Sequence, residues 1–101
     1  MLPYKAIDLY ISEHAVDRFI QRSGHKVKDP IKVRNIIKDY LLNVSSYDIF
    51  EGKDGNYYIK YFSSEFKPIK NKELFFIVSK DSTVMTIKPM TMEAKMNMIR
   101  G

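Results

Sequence analysis

Glu73-Leu74-Phe75-Phe76-Ile77-Val78-Ser79 holds a nearly unbroken apolar run in this 101-residue sequence. Strict alternation of apolar and polar residues would bury one face of a strand. A continuous run of this length buries both, so residues 73–79 read as the middle strand of a sheet. On its C-terminal side, Asp81-Ser82 turns the chain and Thr83-Val84-Met85-Thr86-Ile87-Lys88 brings it back as a neighbour, ended by Pro89. On its N-terminal side, residues 63–71 form a polar loop, which Phe66 and Ile69 are expected to pin down.

Before that loop lies a hairpin. Tyr47-Asp48-Ile49-Phe50-Glu51 and Tyr57-Tyr58-Ile59-Lys60-Tyr61-Phe62 read as strands around Gly52-Lys53-Asp54-Gly55-Asn56, where the Asp-Gly pair fixes the turn. Side chains alternate across a strand, so Tyr58, Lys60 and Phe62 face one way and Tyr57, Ile59 and Tyr61 the other. Both faces thus carry aromatic rings. One must meet helices, and the other must be partly covered or serve as a binding surface.

The helices come first in the chain. Asp29-Pro30 marks a helix start, with Asp as the N-cap and Pro where its missing amide costs nothing. Val33, Ile36, Ile37, Tyr40, Leu41 and Val44 then share one face at helical spacing, while Lys32, Arg34, Asn35, Lys38 and Asp39 form a solvated side. An earlier helix runs from about Glu13 to Ser23, capped by Ser12 and stopped by Gly24, which tolerates positive φ. Residues 3–10 suggest a short strand or an extended arm. At the other end, Thr91 caps a last short helix, Met92 to Arg100. Four of the six methionines, Met90, Met92, Met96 and Met98, fall in this tail. It folds back on its own core or, methionine being adaptable, meets a partner chain. The expected fold is α+β, a single domain over residues 1–101: two N-terminal helices packed on a four-stranded, mostly antiparallel sheet, with a short C-terminal helix.

Composition narrows the function. A hydrophobic share of 45% with 13% aromatics belongs to a folded chain, and a net charge of +5 favours an acidic partner. The absence of cysteine excludes disulfides and thiolate metal sites and fits a reducing cytoplasm. No stretch approaches the ~18 apolar residues of a membrane span, so no membrane partner is expected. With two histidines and no clustered carboxylates at ligand spacing, no metal or cofactor is expected. Glycines at 24, 52, 55 and 101 belong to no phosphate loop.

One row of residues carries chemistry. In Ile11-Ser12-Glu13-His14-Ala15-Val16-Asp17-Arg18-Phe19-Ile20-Gln21-Arg22, the residues His14, Arg18 and Arg22 stand at i, i+4 and i+8. The row drifts by about 40° per step and so edges toward the apolar face. A histidine in the first turn lies beside the unpaired amides of a helix start, which favour an anion, and the arginines add planar donors matched to phosphate oxygens. The same arginines equally suit a structural role, with stems laid over the core and heads paired with carboxylates.

The pattern Ser12-x-His14-Ala15-x-x-Arg18-Phe19-x-x-Arg22 resembles the opening helix of the small bacterial and phage domains grouped as DUF4258. Those are similar to RelE-like toxins and to the wider barnase, EndoU and colicin nuclease superfamily. The resemblance implies an RelE-like α+β domain, with a second helix and an antiparallel sheet after the motif, and a toxin-like or phage-encoded endoribonuclease. In metal-independent cleavage, the 2′-hydroxyl of RNA attacks the adjacent phosphate. The protein must supply an acid or base and cations where charge builds. His14 would be the acid or base and Arg18 and Arg22 the phosphate clamp, with Lys60, Tyr61 or Lys88 from the sheet completing the site. The expected partner is RNA, with an antitoxin or another protein as a further one. The alternative is a non-catalytic phage or mobile-element regulator whose sheet face or methionine-rich tail grips a protein or an RNA.

Overall fold

A computed structural model describes residues 8–62 and 72–99. The middle of the fold is β4 (Lys72–Val78), the third of five strands in a mixed sheet. It pairs antiparallel with β5 (Thr83–Thr91) on one side and β3 (Tyr57–Lys60) on the other. β2 (Ile49–Glu51) lies outside β3 and β1 (Tyr10–Ile11) outside β5, giving the order β1-β5-β4-β3-β2. From Leu74 to Val78, β4 is buried throughout, as its apolar run requires.

Two faces of the sheet are covered. α1 (Glu13–Arg22) and α2 (Pro30–Asn43) pack on one face, and α3 (Met92–Met98) crosses the other. The capping residues act as expected: Ser12 Oγ accepts the Ala15 amide, Asp29 the Ile31 amide, and Thr91 Oγ1 the Ala94 amide. Gly24 follows α1 at φ 73°, and Gly55 turns the hairpin at φ 86°.

The two-helix face holds the main core. Phe19 is fully buried, stacked on Phe76 at 6.1 Å between centroids and edge-on to Tyr61 at 5.5 Å. Burying such a ring contributes about 1.5–3 kcal/mol, and well-placed ring pairs add to it. Tyr40 joins this cluster with its ring and ties down the end of β3 with its hydroxyl, which donates to the Lys60 carbonyl at 2.6 Å and accepts the Phe62 amide at 3.0 Å. Burial raises the Tyr40 pKa, although the Phe62 amide pulls the other way.

Three expectations need correction. The sheet has five strands, not four, and is mixed, because β1 runs parallel to β5. A two-residue strand has no periodicity to reveal it. The first half of the expected strand at 47–51 is a 3-10 turn, Ser46–Asp48, capped by Ser45. Finally, β5 does not stop at Pro89 but continues to Thr91.

The outer edge of β5 explains why proline is tolerated. β1 covers β5 only at Thr83 and Val84, and Ser12 extends the contact by accepting bonds from neither strand but donating its amide to Val84 O at 3.1 Å and its hydroxyl to Met85 O at 3.1 Å. Next along this edge, Arg22 Nη1 donates to Ile87 O at 2.7 Å. In an antiparallel ladder, amide and carbonyl of alternate residues point outward together. Pro89, two residues beyond Ile87 and opposite Leu74, therefore turns its nitrogen away from β4, and no ladder bond is lost. A bulge at Met85 shifts the register between Ile77 and Val78.

The expectation that Phe66 and Ile69 pin the 63–71 loop lies outside the described residues, as do most of the 3–10 arm and the end of the tail.

Candidate nucleic-acid interface

Ala15, Val16 and Phe19 fix the inner face of α1 against the core, which leaves His14 exposed and Arg18 and Arg22 half-buried on its flank. The three stand one turn apart along roughly 12 Å of helix. Arg18 Nη1 donates to Gln21 Oε1 at 2.7 Å, and Arg22 is held by the Ile87 carbonyl. Both acceptors are neutral. Among the described residues, no carboxylate forms an ion pair with either guanidinium. Among the described residues both arginines thus lack an ion-pair partner, and each keeps donors beyond the one it uses.

The residues expected from the sheet are not brought to this row. Tyr61 is only 5% exposed and sits in the core against Phe19, Tyr40 and Phe76. Its position on the inward face of β3 dictates this, since Ile59 two residues earlier is buried in the same cluster. Lys60 points the other way. Its ammonium pairs with Glu73 and lies 4.5 Å from the Phe62 ring centroid. Lys88 stands opposite Phe75, which belongs to the cluster on the α3 side. Both lysines therefore occupy the far face of the sheet from α1. Alternation of side chains could separate Lys60 from Tyr61 in the sequence. The side on which Lys88 falls depends on register, which the sequence does not show.

Arg22 has a structural duty that spacing alone did not reveal, because its acceptor is a backbone carbonyl 65 residues away. Ser12 likewise caps α1 and also closes the β5 edge. His25 belongs to the loop after α1: its Nδ1 accepts the Val27 amide at 3.1 Å, and its ring lies 5.9 Å from that of Phe19.

A separate group of polar residues orders the hairpin. Tyr58 is buried, and its hydroxyl donates to Asp54 Oδ2 at 2.7 Å. Burial, together with this bond to a carboxylate, pushes the Tyr58 pKa up to about 12. For Asp54 slight desolvation raises the pKa, but bonds from Tyr58 and Asn56 outweigh it and hold the carboxyl below its usual range. At the β4–β5 turn, Asp81 is lowered chiefly by the Ser79 hydroxyl.

No group of three or more metal-ligating side chains occurs among the described residues, and none of their helices is long and apolar enough to cross a membrane. Comparisons with protein-family models, with curated proteins and with solved structures find no match.

Proposed function

We propose that this chain binds RNA phosphates along α1, as a non-catalytic module. The supporting observation is the uncompensated pair Arg18 and Arg22, aligned with exposed His14 on a chain of net charge +5. Guanidinium groups bonded only to neutral oxygens retain their attraction for an anion, and phosphate matches their donor geometry. A row of this length spans more than one phosphate group, which suits a polymer.

The second reading is the metal-independent endoribonuclease implied by the resemblance to DUF4258 and RelE-like domains. His14 favours it, as an exposed imidazole beside two cations. Cleavage by 2′-hydroxyl attack, however, uses a base for the nucleophile and an acid for the leaving oxygen. Lys60 and Lys88 lie across the sheet, and Tyr61 lies in the core. Of the described residues expected in this site, that leaves His14 to serve both ends of the reaction, so binding is the better-supported function.

Incubating folded protein with labelled RNA in EDTA tests both readings. Binding without cleavage is expected, with affinity falling steeply as salt rises because phosphate contacts release counterions. Arg18→Ala should weaken binding while leaving the circular dichroism unchanged. Cleavage that disappears in His14→Ala would replace this reading with the enzymatic one. A salt-independent interaction would exclude phosphate recognition.

A further inference from the structure

The opposite face of the sheet carries a second, unrelated feature. A groove of about 230 Å³ opens beside α3, lined by Phe50, Lys95, Met96 and Ile99. Next to it, Met92 and Met96 stand one turn apart on the outer side of α3, 60% and 71% exposed. Lys95 lies between them in sequence. Its ammonium sits 4.4 Å from the centroid of the Phe50 ring and 5.7 Å from that of Phe75, and among the described residues no carboxylate neutralises it.

From this we infer that the α3 face docks an acidic amphipathic segment of a partner protein. A large apolar side chain would seat in the groove, a Glu or Asp would lie over Lys95, and a second apolar residue one turn away would cover Met92. This docking does not depend on RNA binding by α1. Three observations select this occupant. The groove is smaller than the roughly 300–1,000 Å³ usual for small-molecule sites but accepts one large side chain. The exposed methionine ridge then extends the apolar surface past the groove, as an extended partner requires, and methionine adapts to such surfaces. Finally, the unneutralised Lys95 at the rim sets the sign of the partner's charge.

Two other occupants fit less well. Nucleic acid would need an open ring face for base stacking, but Phe75 is fully buried and Lys95 already covers Phe50. A second copy of this chain would bring another net charge of +5 to a cationic rim.

The test uses protein labelled with carbon-13 at the methionine methyl groups and with nitrogen-15 at the backbone amides. It is titrated with a synthetic helix-forming peptide of Leu and Glu, with leucines one turn apart, then with the same peptide carrying Lys for Glu, and with oligouridylate. The acidic peptide should shift the Met92 and Met96 methyl signals and leave the His14–Arg22 amides unmoved. Lys95→Glu should weaken that binding roughly tenfold, the range of a significant interface residue, whereas Lys32→Glu on α2 should not. Met96→Ser removes apolar contact at an exposed position and should weaken binding with the fold intact by circular dichroism. Several results would overturn the proposal: no shift at millimolar peptide, equal shifts with the Lys peptide, shifts produced by oligouridylate, or concentration-dependent broadening that reveals self-association.

Discussion

The two faces of the sheet are built on different principles. Toward α1 and α2, fifteen described residues form a continuous buried cluster, and the rings of Phe19, Tyr61 and Phe76 within it interlock with that of half-buried Tyr40 packed against it. Toward α3, the buried cluster is four residues, Tyr58, Phe75, Ile77 and Met90, covered in part by Phe50, Met85, Ala94 and Met98, with the Lys95 ammonium over the Phe50 and Phe75 rings. The first face is held by shape complementarity among stiff side chains. The second is smaller and mixes rings with methionines, whose flexible side chains adapt more readily to a changed neighbour.

Substitutions can break or sharpen this contrast. The largest effect is expected from Phe19→Ala, which opens a cavity in the interlocked cluster and should cost about 3–5 kcal/mol in denaturant unfolding. A loss under 1 kcal/mol would show that the two-helix face is no stiffer than the other. Gly52→Ala comes next, because a Cβ there would lie 2.4 Å from the Tyr58 ring, itself buried beneath α3. Displacing that ring should cost roughly 1–3 kcal/mol, typical of overpacking, and should loosen α3 in hydrogen exchange before α1. Arg22→Ala leaves the carbonyl of buried Ile87 without its donor, for a loss of about 1–2 kcal/mol in thermal unfolding; Arg18→Ala, whose partner Gln21 is exposed, should change little.

Tyr58 gives the contrast a pH signature. A tyrosine whose folded pKa is raised to about 12 contributes stability that is fully present below its ordinary value of 10.0 and is lost as pH rises through 12. Melting of the wild type should therefore decline between pH 10 and 12 more steeply than that of Tyr58→Phe. Parallel profiles would remove Tyr58 from the account of the α3 face. A small loss is expected from Lys95→Ala, about 0.5–1 kcal/mol for a partly exposed cation over a ring, measured by denaturant titration.

Much of this architecture was legible in the sequence because it is encoded locally. Asp29-Pro30, Ser12, Thr91 and Asp54-Gly55 act within a turn of their own positions, and the apolar run at 74–78 marks the sheet centre without reference to a partner. What remained hidden depends on pairing. β1 is a strand only because β5 lies beside it, and Pro89 stays in β5 only because that edge faces outward. The candidate site follows the same division. The His14, Arg18 and Arg22 row is a property of one helix and survives intact. Lys88 required the register of β4 and β5, and the burial of Tyr61 required knowledge of which side of β3 the helices cover. Of the neutral acceptors on which the functional reading rests, Gln21 lies three residues from Arg18 on the same helix, whereas the Ile87 carbonyl that holds Arg22 appears only when β5 is in place.

The closure of the β5 edge by Ser12, Arg22 and Pro89 also bears on how this chain behaves at high concentration. A bare strand edge is a template on which a neighbouring molecule can add its own strand, the first step toward fibrous aggregates. Here the outward carbonyls of Val84, Met85 and Ile87 are already occupied by groups from the first 22 residues, and Pro89 offers no amide. Arg22 thus links solubility to the same helix that presents the cationic row, and its loss would expose a hydrogen-bonding edge as well as remove a charge.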